Sequence, residues 1–463
     1  MNINNYNSAG EKMKEIIRKT SIAITMMGAM VLFGLWTPLV QAHNRISAVI
    51  DADYPDRNEA KESLGQLLFF DKILSGNKNT SCATCHHPLA ATGDGLSLPV
   101  GEGGRGVGVM CDTGTGDDAI HERVPRNSPH LFNLGANEFS TMFHDGRVEK
   151  NLASSTGFDT PAGDAFLLGI DHALAAQSAF PPTSTTEMAG QAGENEVADA
   201  AAMGDVQTVW YLLTERVMAI PEYQKLFRAA YPSLNVPDEV TFTHIANAIG
   251  AFEAAAYRAD NSPFDRYLRG EKRAMSVNAR LGMKLFQRKA ECANCHAGKF
   301  QTDHQFHALG VPQIGPGKGD GFNGHDDFGR EQVTGDSYDR YKFRTPTLRN
   351  VVITGPWGHD GAYNTLNAML KHHIDPENSL AQYDTAQATL PSRVDLDAID
   401  FTVHNDPTSR AELAAAIEIQ AIRLKEREIN LLIDFLHALT DPQSLDLRST
   451  VPARVPSGLS LSD

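Results

Sequence analysis

The sequence predicts a mainly α fold organised as a tandem repeat, and three observations carry that expectation. Leu64-Gly65-Gln66-Leu67-Leu68-Phe69 and Leu281-Gly282-Met283-Lys284-Leu285-Phe286 match, with apolar residues at helical spacing. Each is followed by Cys-x-x-Cys-His, at Cys82-Ala83-Thr84-Cys85-His86 and Cys292-Ala293-Asn294-Cys295-His296. Amphipathic patterns at 205–231, 242–268 and 411–439 add further helices, and no strand-rich segment appears.

The N-terminus comes first in chain order. Lys12, Lys14, Arg18 and Lys19 lead into an apolar run from Ile22 to Val40, and Val40-Gln41-Ala42 offers small residues for cleavage before His43. This predicts a signal peptide over 1–42 and export to the periplasm. The alternative is an uncleaved membrane anchor, because the run is nearly long enough to span a bilayer.

The two Cys-x-x-Cys-His motifs predict two covalently bound c-type haems. Two thiols meet the two vinyl groups of one porphyrin, and the next residue places an imidazole on the iron. Zinc is the main alternative. Zinc ribbons, however, keep their pairs about 15–20 residues apart, whereas these lie 210 apart and each precedes a His. A thioredoxin-like redox motif would not require the His twice. Cys111 is the fifth cysteine and has no evident role, so no disulfide framework is available.

A further match follows each motif. Arg126-Asn127-Ser128-Pro129-His130-Leu131 leads to His144-Asp145-Gly146, and Phe343-Arg344-Thr345-Pro346-Thr347-Leu348 leads to His359-Asp360-Gly361. The expected organisation is two tandem cytochrome c-like haem domains, 43–245 and 246–445, with a tail over 446–463. Residues 150–186 are rich in small residues, Ser and Pro, and read as an insertion over the surface of the first domain. The Gly- and Asp-rich stretch 311–341 reads as a long solvated loop. Its Asp320, Asp326 and Asp327 do not have EF-hand spacing.

Removing residues 1–42 takes away four bases and two acids, leaving 37 against 55 and a net charge of −18. Such a chain repels nucleic acid and anionic lipid, and can steer a small basic partner. No membrane span is expected in the mature chain.

Taken together, these motifs resemble the bacterial dihaem cytochrome c peroxidase family, which includes the protein-modifying enzyme MauG. The likeness runs from about Leu64 to Leu439. It includes Phe143-His144-Asp145-Gly146-Arg147, Glu187-Met188, the run from Ser262 to Gly270, Phe306-His307-Ala308-Leu309-Gly310 and Arg344-Thr345-Pro346-Thr347-Leu348-Arg349-Asn350. The resemblance implies reduction of hydrogen peroxide at the first haem, with electrons entering through the second from a small redox protein (a cytochrome c or a cupredoxin). It also allows a homodimer.

Site residues follow from the same resemblance. Peroxide cleavage needs an acid–base group and a polarising dipole, and the family's distal Gln and Glu fall on Gln177 and Glu187. Members that close the first iron with a His do so sixteen residues past the motif His. That position is Glu102, expected to be solvent-exposed, which would leave the iron held by His86 open. The sixth ligand of the second iron, opposite His296, is expected twelve residues past Gly361, at His373. Met369 is the alternative one turn earlier, while His372 points elsewhere. His144 stands where the family carries a Trp between the haems, so hopping through that residue is not expected, and a structural role is equally open. A calcium ion is implied at Asn127, Thr354 and Pro356. Two other functions stay open: MauG-like oxidation of a partner protein, and electron transfer without peroxidase activity.

Overall fold

The computed structural model describes residues 46–116 and 119–461. The signal peptide expected over 1–42 lies outside the described residues. The fold is mainly helical, and Ser47–Asp463 gathers into one compact unit. No helix among the described residues is long and apolar enough to cross a membrane.

In chain order the main helices are α1 (Glu59–Phe70), α2 (Cys82–Cys85), α3 (Ala173–Gln177), α4 (Glu196–Ala202), α5 (Val206–Met218), α6 (Pro221–Ala230), α7 (Phe242–Ala256), α8 (Pro263–Leu268), α9 (Val277–Phe286), α10 (Leu366–Ile374), α11 (Pro376–Ala381), α12 (Pro407–Ala415) and α13 (Glu426–His437). The patterns at 205–231 and 411–439 each divide. Pro221 starts a new helix at its first position, because its fixed φ and missing N–H suit only a helix start. The second pattern breaks between Ala415 and Glu426.

Two helix crossings frame the molecule, α1 on α7 and α9 on α13, and the repeated glycine explains both. A Cβ on Gly65 would lie 1.8 Å from the Ala248 carbonyl oxygen; one on Gly282 would lie 1.8 Å from that of Leu431. Only glycine lets the backbones approach so closely. Phe252 and Phe435 close the two crossings at matching positions, each 2.9 Å from the added atom.

The repeat continues past the helices. Strands β1 (Thr141–Met142), β2 (Val148–Lys150) and β3 (Phe158–Asp159) form an antiparallel sheet, and β4 (Phe306–His307) pairs with β5 (Phe343–Arg344). The first His-Asp-Gly sits in the turn between Met142 and its partner Val148. The second sits between Trp357 and its partner Tyr363. Both turns have the same length, and in both the glycine takes a left-handed φ, +72° at Gly146 and +67° at Gly361.

Two surface expectations need correcting, and the tail is anchored as well. The insertion over 150–186 does not lie on the surface as a whole: Phe158, Phe166, Leu174, Ala175, Ala176 and Phe180 are core residues. Its small residues let α3 press against α7, where an added Cβ on Gly250 would meet Ala175 at 2.8 Å. The stretch 311–341 is not solvated throughout. Asp326 is buried and accepts from the Tyr341 and Ser409 hydroxyls, while buried Asp327 pairs with Arg126. The tail is anchored, too, since Val455 is buried in the same core as α1 and α7, and Ser457 donates to Asp71 at 2.6 Å.

Candidate functional site

Each Cys-x-x-Cys-His motif follows its glycine-bearing helix and forms a short helical turn. In the first, Ser81 and Thr84 build a capping box that fixes the turn. The His86 Nδ1 lies 3.0 Å from the Thr92 carbonyl, and the His296 Nδ1 lies 3.1 Å from that of Gln301. Donation there commits Nδ1 and leaves Nε2 with its lone pair for a metal. Burial lowers the pKa of both rings, His296 to about 4, which keeps them neutral as ligation requires.

The second motif has a facing partner. His373, on α10, is half-buried and its ring centre lies 6.4 Å from that of His296. A metal–nitrogen bond of about 2.0–2.1 Å on each side, plus the distance from each nitrogen to its ring centre, spans such a gap. The His373 Nδ1 is held by the Met369 carbonyl at 2.9 Å. Met369 itself packs among Leu98, Val311, Tyr363 and their neighbours. His372 points away, bonded to the Tyr363 hydroxyl and the Leu309 carbonyl, both at 2.9 Å. Among the described residues, His86 has no second imidazole facing it in this manner.

Around the first motif, Glu187 sits in the π-helical turn Thr185–Ala189, its N–H bonded to the Ser184 hydroxyl. Burial raises its carboxyl, partly offset by the charges of Arg147 and Lys318. Its charge acts on the thiols of both Cys82 and Cys85. Gln177 closes α3 with its Oε1 buried and unpartnered among the described residues. Glu102 is not solvent-exposed: it is 7% exposed and accepts the Asn77 and Asn79 amides at 2.9 and 2.6 Å. The Glu102 N–H also holds the Thr186 carbonyl at 3.0 Å, binding this glycine loop to the turn that carries Glu187. Burying the loop backbone compels those bonds, which composition alone did not reveal.

Residues that follow each motif meet in a buried charge network. Arg126 pairs bidentately with Asp327, at 2.6 and 2.7 Å, and also with Asp145. His144 bonds the Asn127 carbonyl at 3.2 Å, and the Asn127 N–H bonds the His359 carbonyl at 2.9 Å. Burial lowers His144 to about 4 and His359 to about 3, so both are neutral. A left-handed φ of +67° at Phe143 aims the His144 turn. The Asn127 amide donates to the Leu96 and Ser97 carbonyls, leaving its Oδ1 available. Asn127 and Thr354 line one small cavity with Asp94, while Pro356 lies two residues past Thr354.

Haem fits these residues better than zinc does. Among the described residues the two Cys pairs do not converge on one metal centre. The one cluster with metal-ligand spacing, Cys295, Asp303 and His307, uses a thiol of the second motif. Buried polar groups instead await a partner. The His130 Nδ1 and Gln177 Oε1 are unsatisfied among the described residues, and burial lowers the Arg344 guanidinium to about 10 with no paired carboxylate among them. A group carrying its own carboxylates meets the Arg344 charge and a His130 N–H. Arg147, Lys318 and Arg344 were not singled out from the sequence. Arg147 and Arg344 stood inside quoted motifs, whereas nothing marked Lys318.

Comparisons with known proteins agree with this arrangement. The family model for di-haem cytochrome c peroxidase matches residues 59–273. The methylamine utilization protein MauG of Methylorubrum extorquens is 31% identical over 318 residues, 68% of each chain. The cytochrome c551 peroxidase of Pseudomonas aeruginosa is 29% identical over 342 residues, 71% of this chain and 79% of that one. Among solved structures, a MauG-like protein associated with microbial copper homeostasis superposes with a TM-score of 0.55 at 25% identity, covering 88% of this chain and 96% of that one. Paired haem motifs, matched helix crossings and these relatives lead to one conclusion: the chain belongs to the dihaem cytochrome c peroxidase and MauG family.

Proposed function

We propose that this protein is a periplasmic dihaem peroxidase with two cytochrome c-like haem domains, reducing hydrogen peroxide with electrons from a small cytochrome c or cupredoxin. One observation carries the reading. His296 faces His373 across 6.4 Å, whereas the charge of Glu187 acts on both thiols of the first motif. The second site then has a closed ligand set suited to relaying electrons, and the first keeps one side for substrate.

Bound haem supplies the redox chemistry. The protein's own groups do the rest. Glu187, its carboxyl raised by burial, takes the proton from one peroxide oxygen and returns it to the other. Gln177 offers an amide dipole to the separating charge. Overall, peroxide with two electrons and two protons gives two waters. The net charge of −18 after removal of 1–42 favours a basic donor. Asn127, Thr354 and Pro356 would hold calcium, a reading supported by the cavity that Asn127 and Thr354 share and by the available Asn127 Oδ1.

The MauG relative at 31% identity supports a second reading, oxidation of a residue in a partner protein. Its counterargument is His144, an imidazole much harder to oxidise than the indole it replaces. The test is direct. The ferric protein is expected to contain one high-spin and one low-spin haem and to consume peroxide with a reduced cytochrome as sole donor. Glu187→Gln should keep both haem spectra and lower turnover by about 10²–10⁴-fold. Two low-spin haems, or a Glu187→Gln enzyme within a few-fold of the parent, would defeat the assignment.

A further inference from the structure

Helix α7 carries an apolar sequence, Ile245 to Ala256, interrupted by Glu253. That carboxyl is 6% exposed. Around it α7 packs through Phe252 and Tyr257 on Phe69, with ring centres 5.3 and 6.0 Å apart. No cation pairs with Glu253 among the described residues. The Ser178 hydroxyl oxygen lies 3.4 Å from it and donates to the Leu174 carbonyl at 3.0 Å, which leaves its lone pairs to a protonated Glu253. Ser178 directly follows Gln177, the residue whose buried Oε1 is unpartnered among the described residues. The charge of Glu253 acts on the Cys82 thiol more strongly than that of Glu187 does. Glu253, Glu187 and Asp94 therefore all act on thiols of the first haem motif, and the chemistry above uses only Glu187.

We propose that Glu253 is a second proton-holding carboxyl of the first haem pocket, passing its proton through the Ser178 hydroxyl toward the space that Gln177 borders. The inference rests on the peroxidase reading and deepens it. Glu187 only moves the proton that peroxide already carries. The reduction consumes two more along with the donor's two electrons, and one of these comes from Glu253. The carboxyl O–H breaks, Ser178 accepts that proton while releasing its own to form an O–H of product water, and solvent reprotonates the carboxylate.

Burial without a counter-charge raises this carboxyl to about 8, so it holds its proton at neutral pH. The groups its charge acts on are Tyr257, just past the end of α7, and Cys82 on α2, which carries haem in the loaded protein. Against α7, α1 brings Gly65 and Phe69 and α3 brings Ala175, while His172, ahead of α3, approaches Gly250 with a ring that burial lowers to about 4 and so keeps neutral.

Infrared difference spectroscopy of the haem-loaded protein reads the proton directly. The parent and Glu187→Gln should show protonated-carboxyl absorbance titrating near pH 8, to which buried Asp360 also contributes, and Glu253→Gln should lose the Glu253 component. Glu253→Gln should also lower peroxide turnover at least about tenfold and abolish the fall in turnover above about pH 8. Glu253→Asp should restore part of both. If Glu253→Gln fails to fold, Ser178→Ala should keep that absorbance yet slow turnover. A parent without that absorbance, a Glu253→Gln absorbance equal to the parent's, or an unchanged turnover and pH profile would each overturn the proposal. A parent with the absorbance but no turnover would instead remove the peroxidase reading and peroxide as the proton's acceptor.

Discussion

A single methyl group at Gly65 tests how closely the first helix crossing is packed. An added Cβ would stand 1.8 Å from the Ala248 carbonyl oxygen, where ordinary contact begins at 3.4 Å. Helices α1 and α7 must therefore part by about 1.6 Å, the difference of those two distances. Gaps of about 0.5–1 Å already forfeit roughly a quarter to a half of the dispersion attraction across them. Leu64, Leu68 and Phe69 of α1 are fully buried, and each such side chain contributes about 1.5–3 kcal/mol. Losing half of that for all three costs roughly 2–5 kcal/mol. Alanine's better helix propensity offsets about 1 kcal/mol, leaving a net loss of roughly 1–4 kcal/mol. Urea unfolding of the haem-loaded protein, followed by circular dichroism and haem absorbance, measures it. Gly282→Ala should lose a similar amount, because its contacts with Leu431 and Phe435 have the same distances. Gly93→Ala is the control, with its nearest atom at 3.6 Å and no left-handed φ. If Gly65→Ala and Gly282→Ala unfold with the parent and the control, the crossings are looser than these distances require.

Two further outcomes are expected. His373→Ala should convert the low-spin haem to high-spin by absorbance and electron paramagnetic resonance, while Met369→Leu changes little. The reverse pattern would move the ligand one helical turn. Asp327→Asn should destabilise the protein by about 3–5 kcal/mol, since it leaves part of the Arg126 charge buried and uncompensated. Burial works against ionisation of Asp145 and Asp327, yet Arg126 outweighs it and holds both carboxyls below their ordinary values. Their contribution is therefore present above the unfolded carboxylate pKa of about 4 and lost as pH falls through the depressed folded values. Asp327→Asn should flatten that acid limb in urea unfolding measured against pH, and an unchanged limb would refute the ion-pair account.

Much of the site was legible because its signals are local. Covalent haem attachment needs two thiols and an imidazole in one helical turn, so Cys82, Cys85, His86 and their repeats stand in an unbroken string. The paired Leu-Gly strings were legible for the same reason, although their meaning was not. That Gly65 and Gly282 face the Ala248 and Leu431 carbonyls depends on helices roughly 150 or more residues away. Glu102 shows the opposite case. Glycines on either side suggested a mobile exposed loop, but the same glycines let the backbone press onto Thr186, and the carboxylate then required the Asn77 and Asn79 amides.

The sequence by itself determined the chemistry of attachment, the tandem order and the mainly helical class, because each depends on residue types at short fixed spacing. Only the tertiary structure decided which groups act on one another. Glu253 was an acid in an apolar helix until α3 brought Ser178 to it. Asp327 was one carboxylate of a Gly-rich stretch until Arg126, 201 positions earlier, buried against it. His373 faces His296 because α10 returns across the second motif. Burial and pairing depend on long-range packing, and the free energy of a charge depends on what surrounds it, so neither can be read from its neighbours in the chain.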